Sequence, residues 1–488
     1  MKRILFLFLL PFLVFSQTKI GQDIDGELIN DYSGYSVSLS ADGSVLAIGA
    51  YANDGNGNDS GHVRVYQNIA NSWTQIGQDI DGEAAGDLSG YSVSLSADGS
   101  IVAIGATNNN GGGEGSGHVR VYQNQAGTWV QLGQDINGGA SYALSGWSVS
   151  LSDDGSFLAI GAIGFSGPGE FLGRVSVYEN QAGTWVQVGQ DLQGEANFDF
   201  SGWSTSLSSD GSILAVGATY NDGTGTDSGH VRIYQNQAGT WVQIGDDING
   251  ENPGDQSGYS VSLSNDGSIV AIGATNNSGT GPQSGHVRVY QNQAGIWIQL
   301  GQDVDGESAN DQSGQGISLS SDGTILAVGA YSNDINGSSS GVVKVYKYIA
   351  NTWTQIGSSI AGEAANDWSG WSVSLASDGS TVAIGAPNND GNGSNSGQVR
   401  VFDLNSVLST KHFEINNFTV YPNPATTMVN VKLNNNKVLK NINLYNQVGQ
   451  LLVSTQEKQI NTSDLTSGIY HLEVITEDGK ASKKVIIK

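Results

Sequence analysis

The sequence predicts an all-β protein in which seven copies of a four-stranded unit precede a smaller β-rich module. The first observation is an element of the form SG(Y/W)SVSLS that returns, with small variations, every 56 positions (89 − 33 = 56). The second is that each copy alternates short apolar segments with Gly, Asn and Asp turns, a pattern typical of β-strands. The third is that a strand absent from the last copy occurs at the beginning of the chain. The copies begin at Ser33, Ser89, Ser145, Ser201, Ser257, Ser313 and Ser369.

The segment from Met1 to Ser16 has the features of a secretory signal peptide. Lys2 and Arg3 precede an apolar run from Ile4 to Phe15, and small Ser16 follows it. We predict cleavage between Ser16 and Gln17. A membrane anchor is the alternative, but the run is shorter than the roughly 20 residues of a spanning helix. No later stretch is long and apolar enough, so the mature chain is expected to lack a transmembrane segment.

The first copy illustrates the four strands. Tyr35–Leu39 alternates apolar and polar residues, and Asp42-Gly43 is a typical hairpin turn before the apolar run Val45–Ile48. His62–Tyr66 is the third predicted strand and Trp73–Ile76 the fourth. Four strands in each repeat are typical of propeller blades.

The ends of the repeat region predict a closed ring. The fourth strand of six copies carries a tryptophan, whereas the seventh copy ends at Val399–Phe402 without this strand. Thr18–Ile24 has nearly the sequence of Thr74–Ile80 and would supply the missing strand. Closure leaves no unpaired sheet edge, whereas a β-solenoid, the alternative, needs no closure. We therefore predict a seven-bladed β-propeller over residues 17–405. The tryptophans are Trp73, Trp129, Trp185, Trp241, Trp297 and Trp353.

Residues 18–405 resemble a known repeat family. The segment SGWSVSLASDGSTVAIGAP, from Ser369 to Pro387, resembles the FG-GAP repeat of integrin α-subunit-like propellers. Gly370 matches the second letter of FG, and Gly385-Ala386-Pro387 matches GAP. Bacterial FG-GAP-like repeats are most similar. The resemblance implies a propeller that acts by binding or adhesion. Integrin-type blades hold calcium between their first two strands, but turns such as Ala41–Ser44 stand there, so that site is not carried over.

The last part of the chain differs in composition and contains no copy of the repeat. After a predicted linker at 406–414, residues 415–488 alternate apolar strands with Gly and Asn turns, which predicts a small immunoglobulin-like β-sandwich. Val420–Pro424, Leu465–Val474 and Lys483–Lys488 resemble the type A sorting domain of the type IX secretion system. The resemblance implies a Bacteroidetes-type cell, outer-membrane secretion machinery as a partner, and a secreted or cell-surface location. An ordinary adhesive module is the alternative.

Composition excludes several function classes. The chain has no cysteine, so disulfides and thiolate metal sites are excluded. The net charge is −26, and residues 413–488 carry eight Lys against six acidic residues, so the remainder carries −28 (−26 − 2). Such a charge repels nucleic acid, and we expect no nucleic-acid partner.

The histidines and arginines that recur in several blades do not indicate catalysis. Four histidines and five arginines occupy equivalent positions, which favours roles in packing and ion pairing. No catalytic motif is present, and we expect no enzyme activity and assign no catalytic residue or metal ligand. The alternatives are a secreted hydrolase acting on polysaccharide and a purely structural surface or matrix protein. The recurring residues are His62, His118, His230 and His286, with Arg64, Arg120, Arg232, Arg288 and Arg400.

The long loops are the expected binding region, because loops on a rigid scaffold usually carry function. Asp305, Glu307 and Asp311 would offer oxygen ligands for a structural calcium ion, although Asp, Asn and Gly also simply form turns. No other cofactor is expected.

Four aromatic residues depart from the repeat and are our candidate contacts for a glycan or another cell-surface ligand. They are Phe165, Phe171, Phe200 and Trp368. A sugar site needs an exposed aromatic ring beside amide and carboxylate groups, and drift in single copies is the alternative explanation.

Overall fold

The computed structural model describes residues 17–165, 171–408, 418–433, 439–446, 450–463, 465–476 and 479–488. The chain divides into two compact units, residues 1–408 and 409–488. The prediction of an all-β protein is confirmed, because both units consist of antiparallel sheets.

The described residues of the first unit form seven sheets. The first strands of the described residues are β1 (Thr18–Lys19) and β2 (Ile24–Asp25). Sheet 1 contains β3 (Ser36–Leu39), β4 (Val45–Ala50), β5 (His62–Ile69), β6 (Ser72–Gln75) and β7 (Ile80–Asp81). Sheet 2 contains β8 (Ser89–Leu95), β9 (Ile101–Ala106), β10 (His118–Gln125), β11 (Thr128–Gln131) and β12 (Ile136–Asn137). Sheet 3 contains β13 (Ser145–Leu151), β14 (Phe157–Ala162), β15 (Arg174–Gln181), β16 (Thr184–Gln187) and β17 (Leu192–Gln193).

The remaining sheets repeat this order. Sheet 4 contains β18 (Ser204–Leu207), β19 (Ile213–Ala218), β20 (His230–Gln237), β21 (Thr240–Gln243) and β22 (Ile248–Asn249). Sheet 5 contains β23 (Ser257–Leu263), β24 (Ile269–Ala274), β25 (His286–Gln293), β26 (Ile296–Gln299) and β27 (Val304–Asp305). Sheet 6 contains β28 (Ser313–Leu319), β29 (Ile325–Ala330), β30 (Val342–Ile349) and β31 (Thr352–Ala361). Sheet 7 contains β32 (Ser372–Leu375), β33 (Thr381–Ala386) and β34 (Gln398–Asp403).

The N-terminal segment completes sheet 7, as the match between Thr18–Ile24 and Thr74–Ile80 predicts. Thr18 pairs with Asp403 in β34 and Ile24 pairs with Val399. The two pieces β1 and β2 correspond to β6 and β7, which both pair with β5. One sheet is therefore built from both ends of the unit.

The seven sheets are joined in a closed ring of backbone hydrogen bonds. In each sheet, one residue of the tight turn between the first two strands donates its N–H to the carbonyl of the equivalent residue in the next sheet, at 2.8–3.0 Å. The seventh link returns to the first sheet, from Ser377 N–H to the Ala41 carbonyl at 2.8 Å. The seven residues are Ala41, Ala97, Asp153, Ser209, Asn265, Ser321 and Ser377.

The core lies between neighbouring sheets. The second strand of each sheet, such as Val45–Ala50, is buried along its whole length or nearly so. Its apolar residues fill the spaces on both sides of the sheet, and this explains why the sequence is a continuous apolar run rather than an alternating one. After sheet 7, the helical turn α1 (Asn405–Leu408) places half-buried Val407 and Leu408 against the core of sheets 6 and 7. The first residues of the predicted linker therefore belong to this unit.

The second unit packs two sheets around one core. Its strands are β35 (Phe418–Tyr421), β36 (Met428–Leu433), β37 (Leu439–Tyr445), β38 (Leu451–Thr455), β39 (Gln459–Asn461), β40 (Gly468–Thr476) and β41 (Gly479–Ile487). One sheet has the order β35-β36-β39 and the other β38-β37-β40-β41. Val429 and Ile460 from the first sheet meet Leu444 and Leu472 from the second. Two facing sheets agree with the predicted sandwich.

Candidate functional site

Both kinds of long loop emerge at the same end of each sheet. Antiparallel pairing places the tight turns of a sheet at one end, and the loop between its second and third strands at the other. The crossing loop to the next sheet joins it there, where Gly61 forms a bridge with Ser89. We call this end of the ring the loop face.

The crossing loops have a special backbone that their sequence pattern explains. At the position occupied by Tyr32, Phe200 and Trp368, φ lies between 51° and 59° in all seven copies. This left-handed conformation is uncommon for residues other than glycine. In six copies the preceding residue is a buried aspartate; Asp199, for example, accepts hydrogen bonds from the N–H groups of Glu195 and Ala196, both at 2.9 Å. The aspartates therefore fix the backbone of the crossing loops, and this backbone determines the position of the variable residue.

The variable residues contribute to a continuous aromatic surface at the loop face. The third residue of the SG(Y/W) element is aromatic in six copies, and five consecutive pairs have ring centroids 4.8–5.4 Å apart. All six rings are half-buried, and Gln315 takes the position in sheet 6. We call this set the aromatic collar, consisting of Tyr35, Tyr91, Trp147, Trp203, Tyr259 and Trp371.

Burial keeps the collar phenols neutral. It raises the pKa of Tyr259 to about 12, even though a hydrogen bond with Gln315 acts in the opposite direction. Burial also raises the pKa of Tyr35 and of Tyr91 well above the usual value. The collar therefore presents uncharged rings at any physiological pH.

Two of the four predicted ligand contacts lie together. Phe171 and Phe200 have ring centroids 6.2 Å apart, and Phe198, which is not among the predicted contacts, lies 5.7 Å from Phe171. Phe200 also contacts Trp203 of the collar at 6.5 Å. Phe198 is 49% exposed and Phe171 37% exposed. This cluster therefore offers apolar rings to solvent next to the collar.

The other two predicted contacts lie elsewhere. Trp368 stacks on Trp371 of the collar at 5.4 Å and meets Tyr331 edge-on at 5.5 Å. Phe165 lies under the guanidinium of Arg174, 4.1 Å from its carbon, so this ring covers a charged side chain. Residues 166–170 of the same loop lie outside the described residues, as does Ser16 of the predicted cleavage site. Gln17 donates its side-chain amide to the Ser358 carbonyl at 2.7 Å.

The three acids considered for calcium have different partners. Asp311 is buried and accepts hydrogen bonds from the N–H groups of Glu307 at 3.2 Å and Ser308 at 2.9 Å. Glu307 forms an ion pair with Lys344 at 2.5 Å. Asp305 is exposed, and its pKa is raised by partial burial and by Asp303. Asp311 and Glu307 are therefore engaged in holding the loop.

The recurrent tryptophans and arginines join neighbouring sheets, as a packing role predicts. Trp129 is 3% exposed, and its indole N–H donates to the Ile76 carbonyl of sheet 1 at 2.8 Å. Arg120 donates to the Asp81 carbonyl at 2.7 Å and lies 3.7 Å from Glu83.

The four recurrent histidines are buried, and each faces a glutamate and an aspartate. The three residues of each set offer ligand atoms within 4.8 Å of one another. Burial, and then the neighbouring arginine, lowers the pKa of each histidine to about 4. Sequence reasoning missed these sets because their members are widely separated along the chain. The identical spacing in four copies was the available signal. The sets are Glu27/His62/Asp79, Glu83/His118/Asp135, Glu195/His230/Asp247 and Glu251/His286/Asp303.

Comparisons with known proteins agree with this architecture. A family model described as FG-GAP repeat matches residues 25–66 and 353–402, and one described as secretion system C-terminal sorting domain matches residues 419–488. No curated protein matches the chain. A crystal structure from Bacteroides uniformis, described as that of a 6-phosphogluconolactonase, is similar with a TM-score of 0.51 and 12% identity, over 86% of this chain and 96% of that one. At this identity the likeness concerns the fold alone.

The sorting-domain match also bears on where the protein acts. Among the residues that the structure describes, no helix has the length and apolar character needed to cross a membrane. The chain carries FG-GAP repeats followed by a C-terminal sorting domain of the type IX secretion route, which indicates export across the outer membrane to the cell surface or the extracellular space.

Proposed function

We propose that the seven sheets are the blades of a seven-bladed β-propeller, and that this propeller acts outside the cell by binding or adhesion rather than by catalysis. The closed ring of turn hydrogen bonds supports the propeller. The observation that carries the binding function is the aromatic surface of the loop face. Half-buried Phe200 and Trp368 contact the collar, and the exposed rings of Phe171 and Phe198 contact Phe200. The ligand class that fits this surface is a glycan, because sugars present apolar C–H faces to aromatic rings and hydroxyls to amides and carboxylates.

The repetition of charged groups supports binding over catalysis. A reaction needs one site with distinct acid and base roles, whereas the Glu–His–Asp sets and the loop aspartates recur in equivalent surroundings. At the loop face the asymmetric features include apolar and aromatic side chains such as Phe171, Phe198 and Tyr142, which are among the exposed large apolar side chains. Aromatic anchors surrounded by polar groups are typical of recognition surfaces.

The chain itself offers matched substitutions to test this proposal. The loop position of Phe200 and Trp368 carries glutamine in sheets 5 and 6, with φ values of 57° at Gln256 and 51° at Gln312. Phe200→Gln and Trp368→Gln therefore introduce a residue that this backbone accommodates elsewhere. Leu88→Gln, at the same position in sheet 2, is the control.

We expect a glycan screen to identify a ligand whose affinity falls about 30-fold with either aromatic substitution, because an anchor residue contributes about 2 kcal/mol or more. Leu88→Gln should leave the affinity unchanged. An equal loss in all three variants would contradict a specific aromatic site. Release of reducing ends from a polysaccharide would favour the hydrolase alternative, and self-assembly without ligand binding would favour a structural protein.

A further inference from the structure

The four Glu–His–Asp sets lie at junctions between neighbouring sheets, and we call them the junction clusters. The glutamate follows the last strand of one sheet, whereas the histidine begins the third strand of the next sheet. His118, for example, begins β10 in sheet 2, and Glu83 follows β7 in sheet 1. Each cluster therefore spans two sheets, and together the clusters occupy four of the seven junctions.

The histidines are aimed at the carboxylates without being hydrogen-bonded to them. Each histidine is 1% exposed. Nδ1 of His230 lies 3.6 Å from Asp247 Oδ2, and Nδ1 of His118 lies 3.8 Å from Glu83 Oε2. Within the described part of the chain, neither Nδ1 has a hydrogen-bond partner. Such buried nitrogens are rare unless something satisfies them.

The other oxygen of each carboxylate is held in place by a neighbouring side chain. Gln243 donates to Asp247 Oδ1 at 2.7 Å, and Arg232 lies 3.4 Å from Glu195 Oε1. The remaining three clusters repeat both contacts, with the glutamine at 2.5–2.7 Å and the arginine at 3.6–3.7 Å. Outer contacts of this kind orient the ligands of metal ions in proteins. With these contacts made, each cluster retains one histidine nitrogen and two carboxylate oxygens that can donate electron pairs, and these three atoms face the same point.

The three junctions that lack histidine provide an internal comparison. In sheet 3 the residue at the histidine position bonds directly, because Arg174 reaches Asp191 at 3.1 Å. In sheet 6 that position is the apolar Val342, and Lys344, at the position of the arginines, pairs with Glu307 at 2.5 Å. In sheet 7, Gln398 donates to Asp25 at 3.1 Å and to Glu363 at 3.3 Å. The histidine–carboxylate separations are 3.6–4.0 Å. They exceed a hydrogen bond, and they are a few tenths of an ångström longer than the roughly 3.3–3.4 Å between two ligands of one tetrahedral zinc ion.

We propose that each junction cluster binds one divalent transition-metal ion of the zinc class, which links two neighbouring sheets. An imidazole nitrogen with two carboxylate oxygens suits zinc and its first-row neighbours, whereas calcium takes oxygen ligands. Three protein ligands leave a fourth position open to solvent or to a ligand group. Of the His230 cluster, Asp247 lines an open cleft of about 510 Å³ with Tyr290 and Trp297.

Zinc uptake by the chain from Gln17 to Lys488 tests the proposal. Equilibrium dialysis against ZnCl₂, with the bound metal measured by mass spectrometry, should give four ions per chain. His118→Gln and His230→Gln should each lower the number to three, and substitution of all four histidines should remove saturable uptake. Glutamine is the appropriate replacement because Gln398 occupies the equivalent position in sheet 7. A tenfold excess of CaCl₂ should not displace the zinc.

The controls separate these sites from ordinary surface binding. His412→Gln and His471→Gln change the two histidines outside the clusters and should leave four ions bound. Cobalt in place of zinc should give visible absorption that His230→Gln weakens by about a quarter. No saturable uptake, or uptake that the single cluster substitutions do not reduce, would overturn the proposal even if the fourfold variant failed to fold.

Discussion

The segment that closes the ring makes a quantitative prediction. Ile24 in β2 is 5% exposed and packs against Ile48 and Val399, while its counterpart Ile80 in β7 is 3% exposed and packs against Val63 and Ile104. The two sites have nearly the same surroundings, but Ile24 comes from the beginning of the chain. If this segment is a full member of sheet 7, Ile24→Ala and Ile80→Ala should be equally destabilising.

The size of the effect follows from burial. Truncation of a buried isoleucine to alanine costs about 2–5 kcal/mol. The first unit extends to Leu408, and for a mature unit that begins at Gln17 the unfolding entropy is about 0.8 kcal/mol/K at the usual value per residue. Each substitution should therefore lower the melting temperature by about 2.5–6 °C.

Differential scanning calorimetry of the chain from Gln17 would measure both shifts. Ile69→Ala is the control, because Ile69 is 53% exposed and its removal should change the free energy of unfolding by no more than about 0.5 kcal/mol. A normal shift for Ile80→Ala with none for Ile24→Ala would refute the closure, because the N-terminal segment would then not be seated in sheet 7.

Three further predictions concern other parts of the fold. Asp199→Ala should cost about 1–3 kcal/mol, because the N–H groups of Glu195 and Ala196 lose their acceptor; urea unfolding should detect the loss, and Asp305→Ala, at an exposed acid, should change little. Trp185→Ala should cost about 3–5 kcal/mol, since Trp185 is 3% exposed and donates to the Leu132 carbonyl at 2.8 Å, whereas Trp297→Ala, at a partly buried site, should cost less in the same assay. Partial burial alone would raise the pKa of Asp42, but hydrogen bonds from Ser44 and Ser40 outweigh it and the pKa is lowered. A carboxyl with a lowered folded-state pKa stabilises the fold above its unfolded pKa of about 3.9 and loses that contribution as pH falls through the folded value. Thermal melts from pH 5 to pH 2 should therefore show a loss of stability below about pH 4, and the loss should be smaller in Ser44→Ala.

The elements of the ring were predictable because the repeat has no insertions. A constant period places strands and turns at equivalent positions, and the match of Thr18–Ile24 to Thr74–Ile80 predicts the pairing with β34. The interruptions within individual strands were not predictable. The outer strand is interrupted between β6 and β7, but it is continuous in β31, where Ser358 meets Gln17 from the other end of the chain.

The site was predictable only where a residue departs from the repeat. Phe171, Phe200 and Trp368 can be identified because the other copies carry different residues at these positions. The rings of Phe171 and Phe200 lie next to each other, as described above. The collar and the junction clusters consist of recurring residues, and recurrence in a repeat favours a packing role. Whether Tyr91 contacts Trp147, or His118 faces Glu83, depends on how adjacent sheets are inclined to each other, and a strand pattern contains no information on that angle.

The pairing of Thr18 with Asp403 has a consequence for how such chains change length. It joins residues 385 positions apart (403 − 18), and the entropic cost of closing a loop grows only with the logarithm of its length. Deletion of one copy of the repeat would alter that cost by only about 0.1 kcal/mol. Because β1 pairs with β34 inside one sheet, the first strand would still pair with the last strand of whichever copy comes last. Gene duplication can therefore change the number of copies without disturbing this pairing. The number of copies is then limited by the angles at which neighbouring sheets can pack.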